Sequence, residues 1–260
     1  MELIDTHCHL TFEQLANDVQ SVLQRSRQAS VTRWITIGTD AGENKKAVDL
    51  ANKFDGLYAA VGVHPHQAEE VTPEAIDELR AYAQQKKVVA IGETGLDFHY
   101  NFSKQPAQKE VFAQHLQLAC ELKKPVIVHS RQAFDETIDI LDRFGKGIEK
   151  VVFHCFSGTA DQARIILDRG YFISFTGVVT FKNADSIREV VKMVPTQRMM
   201  VETDCPYMSP VPMRNQKINE PALMIHTARL LAEIKGLSLE EFGTLVTAVS
   251  ENFFSLAQSE

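Results

Sequence analysis

Two imidazoles, His7 and His9, follow the apolar pair Leu3-Ile4 near the start of the chain. In an extended segment, side chains two positions apart leave the same face, so both rings point one way and Cys8 the other. The result is a two-toothed metal clamp, although two histidines in a polar loop would leave the same trace. Four further apolar runs end in the same chemistry. Glu93 follows the run 88–92, His129 follows 125–128, His154 follows 151–153, and Asp204 follows 199–201 by way of Glu202. Gathered without a cation, two carboxylates ~4 Å apart would repel by about 4 kcal/mol at an effective dielectric of 20. Two divalent ions answer this better: one carboxylate bridges them, and four imidazoles with a second carboxylate complete the shells.

The elements that must carry these residues alternate along the chain. Strand-like runs at 33–38, 57–63, 88–92, 125–128, 151–153, 171–175 and 199–201 follow the first one at Leu3-Ile4. Helical spacing fills 12–29, 44–54, 107–122, 134–144, 160–167 and 184–193. Another helix opens at Thr72-Pro73, an N-cap followed by a first-turn proline, and would bury Ile76, Leu79 and Ala83. Two more close the chain at 221–234 and 238–256. The last opens on a capping box, Ser238 and Glu241, and carries a stripe of Phe242, Leu245, Val246, Val249 and Phe253. Eight strands, each followed by a helix, give an α/β fold, expected as one (β/α)8 TIM-barrel domain over 1–260. A doubly wound sheet has the same alternation. The placement of the ligands favours the barrel, where every strand's carboxyl end meets at one mouth.

Composition agrees with a single large core. A chain of 260 residues can bury roughly 70–75% of its unfolded surface. There is no basic leader followed by an apolar segment, and no apolar run approaches the ~20 residues needed to span a bilayer, so a cytoplasmic protein without membrane contact is expected. The four cysteines include no Cys-x-x-Cys pair, and Cys8, Cys155 and Cys205 each follow a candidate ligand, so they read as reduced packing residues. A formal charge of -7 argues against indiscriminate coating of nucleic acid, which is driven by phosphate neutralisation, but leaves room for a local basic patch.

Six segments in order, Asp5-Thr6-His7-Cys8-His9-Leu10, Gly62-Val63-His64-Pro65-His66, Ile91-Gly92-Glu93-Thr94-Gly95-Leu96-Asp97, Val128-His129-Ser130-Arg131, His154-Cys155-Phe156-Ser157-Gly158 and Val201-Glu202-Thr203-Asp204-Cys205-Pro206-Tyr207, resemble the TatD family. These are metal-dependent deoxyribonucleases of the amidohydrolase superfamily, and the likeness runs from residue 1 to about 254. The resemblance implies a TIM barrel and two divalent ions, with zinc, magnesium and manganese all chemically suited. It implies that His7, His9 and Asp204 hold one ion, that His129 and His154 hold the other, and that Glu93 bridges them. A bridging hydroxide would then attack a phosphodiester of single-stranded DNA or DNA ends, in the manner of a 3'-5' exonuclease. Asp204 could take or pass the proton, or serve as a ligand alone.

For substrate contacts, His64 is a candidate for phosphate, or for a third ion with Glu202; a histidine capping a turn is its plain alternative. Arg131 is the better phosphate clamp, since a guanidinium engages two oxygens, against a salt bridge at a helix start. Arg214 is favoured among the loop cations Lys104, Lys182, Arg214 and Lys217. Tyr207 and Phe181 could stack on a base or anchor their loops. The segment from Arg214 to Pro221 departs from the family pattern: Asn215 stands where glycine is usual, and one extra residue precedes Asn219-Glu220-Pro221. Two other readings fit the same ligands, a small-molecule amidohydrolase acting on an amide or lactone and a metal- or nucleic-acid-binding protein without catalysis. A monomer is expected.

Overall fold

The computed structural model describes residues 1–256, so the last four positions of the expected 1–260 domain lie outside the described residues. Strands β1 (Leu3–Cys8), β2 (Val31–Ile37), β3 (Leu57–Val61), β4 (Val88–Asp97), β5 (Val126–Arg131), β6 (Val151–Phe153), β7 (Phe172–Phe175) and β8 (Met199–Val201) form one sheet in chain order. The helices are α1 (Glu13–Ala16), α2 (Val19–Gln28), α3 (Ala41–Lys53), α4 (Pro73–Ala83), α5 (Gln105–Leu122), α6 (Phe134–Phe144), α7 (Ala160–Asp168), α8 (Asp185–Met193), α9 (Met224–Lys235) and α10 (Leu239–Phe254). The fold class is α/β, the (β/α)8 TIM barrel that the alternation together with the placement of the candidate ligands predicts. Contacts divide the chain into two compact units, Met1–Thr36 with the segment beginning at His154, and Ile37–Phe153.

In the first unit β1 pairs in parallel with β2, and β7 with β8. The long helix predicted over 12–29 is two helices, α1 and α2, broken at Asn17-Asp18, residue types whose side chains compete for backbone hydrogen bonds and favour helix ends. The predicted helix over 221–234 begins as a 3-10 turn at Pro221–Leu223 before α9. Helix α10 has the expected capping box, with Ser238 accepting from the Glu241 amide, and packs on β1 and β8. Phe242, Val246 and Phe253 are buried there, whereas Leu245 is exposed, because it falls on the edge of the stripe.

In the second unit β3, β4, β5 and β6 pair in parallel. Asp40 caps α3 through the Glu43 amide, and Thr72 caps α4 through the Ala75 amide; Leu79 and Ala83 are buried as expected, while Ile76 is only half-buried. Strand β4 does not stop at Gly92 but continues to Asp97. Gly92 and Gly95 make this possible. Their φ values of +136° and +141° are ones that side chains rarely adopt, and a Cβ at Gly95 would run into the carbonyl oxygen of His129. Register then sets Gly95 beside His129 and Asp97 beside Arg131. On α5, the buried ring of His115 accepts from the Val63 amide through Nε2 at 3.0 Å and donates from Nδ1 to Val111 O at 2.8 Å. Burial pushes its pKa down to about 4, so the ring is neutral and clamps the segment just after β3.

Candidate metal centre

The first donor set belongs to β1, to the residue just after it and to the turn after β8. His7 Nε2 and His9 Nε2 are 3.3 Å apart, and Asp204 Oδ1 lies 3.2 Å from His9 Nε2 and 3.7 Å from His7 Nε2. A tetrahedral ion with bonds of ~2.0–2.1 Å keeps its ligand atoms about 3.3 Å apart, so these three atoms fit one divalent ion. Asp204 sits at φ +53°, a left-handed conformation uncommon for a residue with a side chain. Its amide donates to His7 O at 2.9 Å, which fixes it against β1. Burial would raise its carboxyl, but the hydrogen bond with His9 and the nearby rings of His7 and His154 outweigh that and hold it below the usual range.

Asp5 ties the two segments together. Its carboxylate accepts from the Thr203 amide at 2.9 Å, the Thr203 hydroxyl at 2.6 Å and the His7 amide at 3.3 Å. Burial pushes its pKa up to about 7, against the lowering effect of the Thr203 and His7 bonds. Asn219 holds the same turn from the other side, donating to Thr203 O at 3.1 Å and Tyr207 O at 2.7 Å. The segment that departs from the family pattern is thus anchored to the loop bearing Asp204.

A second set in this unit joins His7, His154 and Glu202, whose donor atoms all lie within 4.8 Å of one another. The rings of His7 and His154 stack at 4.0 Å. Glu202 Oε1 lies 3.5 Å from His154 Nδ1 and accepts from the Cys155 amide at 2.6 Å, while Thr6 Oγ1 donates to Oε2 at 3.4 Å. The cysteines stay outside these sets. Cys8 Sγ donates to Ile35 O, its thiol pushed well up by burial and by Cys205, and all four cysteines are free thiols.

The third set, in the second unit, is His64, Glu93 and His129. Glu93 Oε1 lies 3.5 Å from His64 Nε2 and 2.7 Å from His129 Nδ1. The shorter distance is that of a charge-assisted hydrogen bond, so an ion taken up here would displace its proton. His64 also caps a turn, its Nδ1 accepting from the His66 amide at 3.2 Å, the plain alternative expected for it, and the set that it joins contains Glu93 and not Glu202. Asp97, at the end of β4, adjoins this set: Oδ2 is 3.2 Å from His129 Nε2 and 2.9 Å from His66 Nε2, and Oδ1 accepts from the amides of His99 and Tyr100. Burial would raise the Asp97 carboxyl, but the bonds from His129, the Tyr100 amide and His66 hold it well below the usual range.

Two of the expected substrate contacts, Arg131 and Arg214, lie over aromatic rings. The Arg131 guanidinium lies 4.7 Å from the Tyr100 centroid and that of Arg214 4.1 Å from Phe181. Tyr207 is exposed, set edge-on to Phe12, which in turn stacks on His9 at 4.5 Å. Lys104 pairs with Glu69. Among the described residues no helix is long and apolar enough to cross a membrane.

Residues 4–255 match the family of TatD-related DNases. The chain is 37% identical over 254 residues to the metal-dependent hydrolase YabD of Bacillus subtilis, covering 98% of this chain and 99% of that one. It is 35% identical over 259 residues to a 3'-5' ssDNA/RNA exonuclease TatD of Pantoea ananatis, covering 98% and 100%. The crystal structure of YjjV, a TatD homolog from Escherichia coli, superposes with a TM-score of 0.90 at 30% identity, over 98% of both chains.

Proposed function

Since the chain belongs to the family of TatD-related DNases and is a metal-dependent hydrolase, we propose that it is a deoxyribonuclease that shortens single-stranded DNA from the 3' end. The observation that carries this reading is the spacing of His7 Nε2, His9 Nε2 and Asp204 Oδ1, which suits one divalent ion, together with the separate set of Glu93 and His129. The Pantoea relative's name supplies the substrate and the direction. In this reading His7, His9 and Asp204 hold one ion, His129 and His154 serve a second, and Glu93 keeps the shared-ligand role that the family resemblance implies. Glu202, with His7 and His154, is the candidate for a further ion. Bound divalent ions supply Lewis acidity and a water acidic near neutral pH.

The chain's own residues orient and move protons. Asp204 presents Oδ1 to both imidazoles, and its carboxylate, held anionic, is assigned the proton of the attacking water at Oδ2. Asp5 and Asp97 fix the segments that carry the ligands, one by its bonds to Thr203 and His7, the other by its bonds to His66 and His129. Arg131, Arg214 and His64 are each assigned to phosphate. The test is incubation with end-labelled single- and double-stranded DNA and Mg²⁺, Mn²⁺ or Zn²⁺, with an EDTA control. The expected result is a ladder shortening from the 3' end only with metal, and its loss in a folded Glu93→Ala variant. Intact DNA under every metal would overturn the proposal.

A further inference from the structure

The loop between β4 and α5, residues 98–104, holds two large rings out to solvent: Tyr100 is 49% and Phe102 68% exposed. They lie nearly parallel, at 7° with centroids 5.3 Å apart. Arg131 lies against Tyr100, and His66 meets both rings edge-on, at 5.6 Å and 4.8 Å. A phenylalanine that anchors a loop is buried by doing so; this one is not, and the loop is anchored by other means. Asp97 accepts from the amides of His99 and Tyr100, Asn101 Nδ2 donates to Phe98 O, Ser103 Oγ donates to His66 O, and Gln108 Nε2 donates to Ser103 O.

Fixed backbone beneath exposed parallel rings is what a base-stacking surface needs, because every nucleobase offers a π face and a rigid surface loses little freedom on binding it. The surface also adjoins the third donor set. Asp97 Oδ2 is shared by His66, which touches the rings, and by His129, which faces Glu93. We infer that Phe102 and Tyr100, backed by Arg131, form a platform on which an unpaired base of the substrate strand stacks while its phosphodiester lies at those donors. The inference rests on the nuclease reading above and adds the part of the substrate that is gripped. Arg131 serves it twice, holding Tyr100 flat and placing positive charge beside the base.

The test is equilibrium binding of single-stranded DNA carrying terminal 2-aminopurine, in EDTA so that nothing turns over, read by anisotropy and by quenching of the probe. Wild-type protein is expected to bind and quench. Phe102→Ala should raise Kd about tenfold or more and lose the quench, Phe102→Trp should restore both, and an abasic terminal residue should erase the difference between the variants. An unchanged Kd and quench in Phe102→Ala, with a strand that wild-type protein cleaves in Mn²⁺, overturns the platform. If wild-type protein binds the strand but cleaves none, the nuclease reading falls instead, and the Phe102 contrast in Kd still decides the platform.

Discussion

At the scale of single residues, the donors that the structure brings into clusters were legible because each histidine or carboxylate follows an apolar run, where a strand delivers side chains towards its carboxyl end. Their supports were not. Asp5, Thr203, Asp97, His66 and Asn219 act through hydrogen bonds between segments far apart in sequence, such as that from Thr203 to Asp5 across 198 positions, and nothing in residue type or spacing announces such a pair. Thr203→Val tests the support directly. It removes the hydroxyl that donates to Asp5 at 2.6 Å and accepts from the Cys205 amide at 3.2 Å, leaving a buried carboxyl short of a donor. The loss should be about 1–3 kcal/mol of stability with divalent affinity about 10–100-fold weaker. Urea unfolding and calorimetric titration with Mn²⁺ read the two effects. Unchanged affinity would reduce Asp5 and Thr203 to fold-holding residues.

Among the elements, periodicity located all eight strands and most helices within a few residues. It erred where one local rule met another. Asn17-Asp18 broke a helix whose apolar spacing continues past it, and the glycines of 92–95 looked like a strand's end when they are what lets β4 pass close to β5. Such glycines are informative only once the neighbouring strand is known, since the same residue type also marks turns. Two substitutions separate the causes. Gly236→Ala at the end of α9 meets only the cost of φ +67° with nothing within 4 Å, and should lose about 1–2 kcal/mol. Gly95→Ala adds a collision with the His129 carbonyl to an unfavourable φ, and should lose at least about 3 kcal/mol. Equal shifts in denaturation midpoint would show that close approach at Gly95 contributes nothing.

For the molecule as a whole, alternation and ligand placement anticipated the (β/α)8 class, but the partition of donors between compact units has no signature in sequence. Neither has the pH response of the fold. His115 takes a proton only near pH 4 when folded but near 6.5 when unfolded. The unfolded chain therefore binds the proton first, and stability drains away as pH falls from about 6.5 to 4, by up to about 3 kcal/mol. The stability advantage of wild type over His115→Gln should shrink across that window in urea unfolding at stepped pH; a constant gap would mean that the ring is not held neutral. The partition has an effect of its own on how the protein is made. Every donor of the His64, Glu93 and His129 set lies in the continuous stretch Ile37–Phe153, so a ribosome delivers that set whole. His7 and His9 are made before that set yet must wait for Asp204, across a closure such as that from Thr6 to Val201, 195 positions apart. A nascent chain thus holds every residue of one candidate donor set before Asp204 of another has been made.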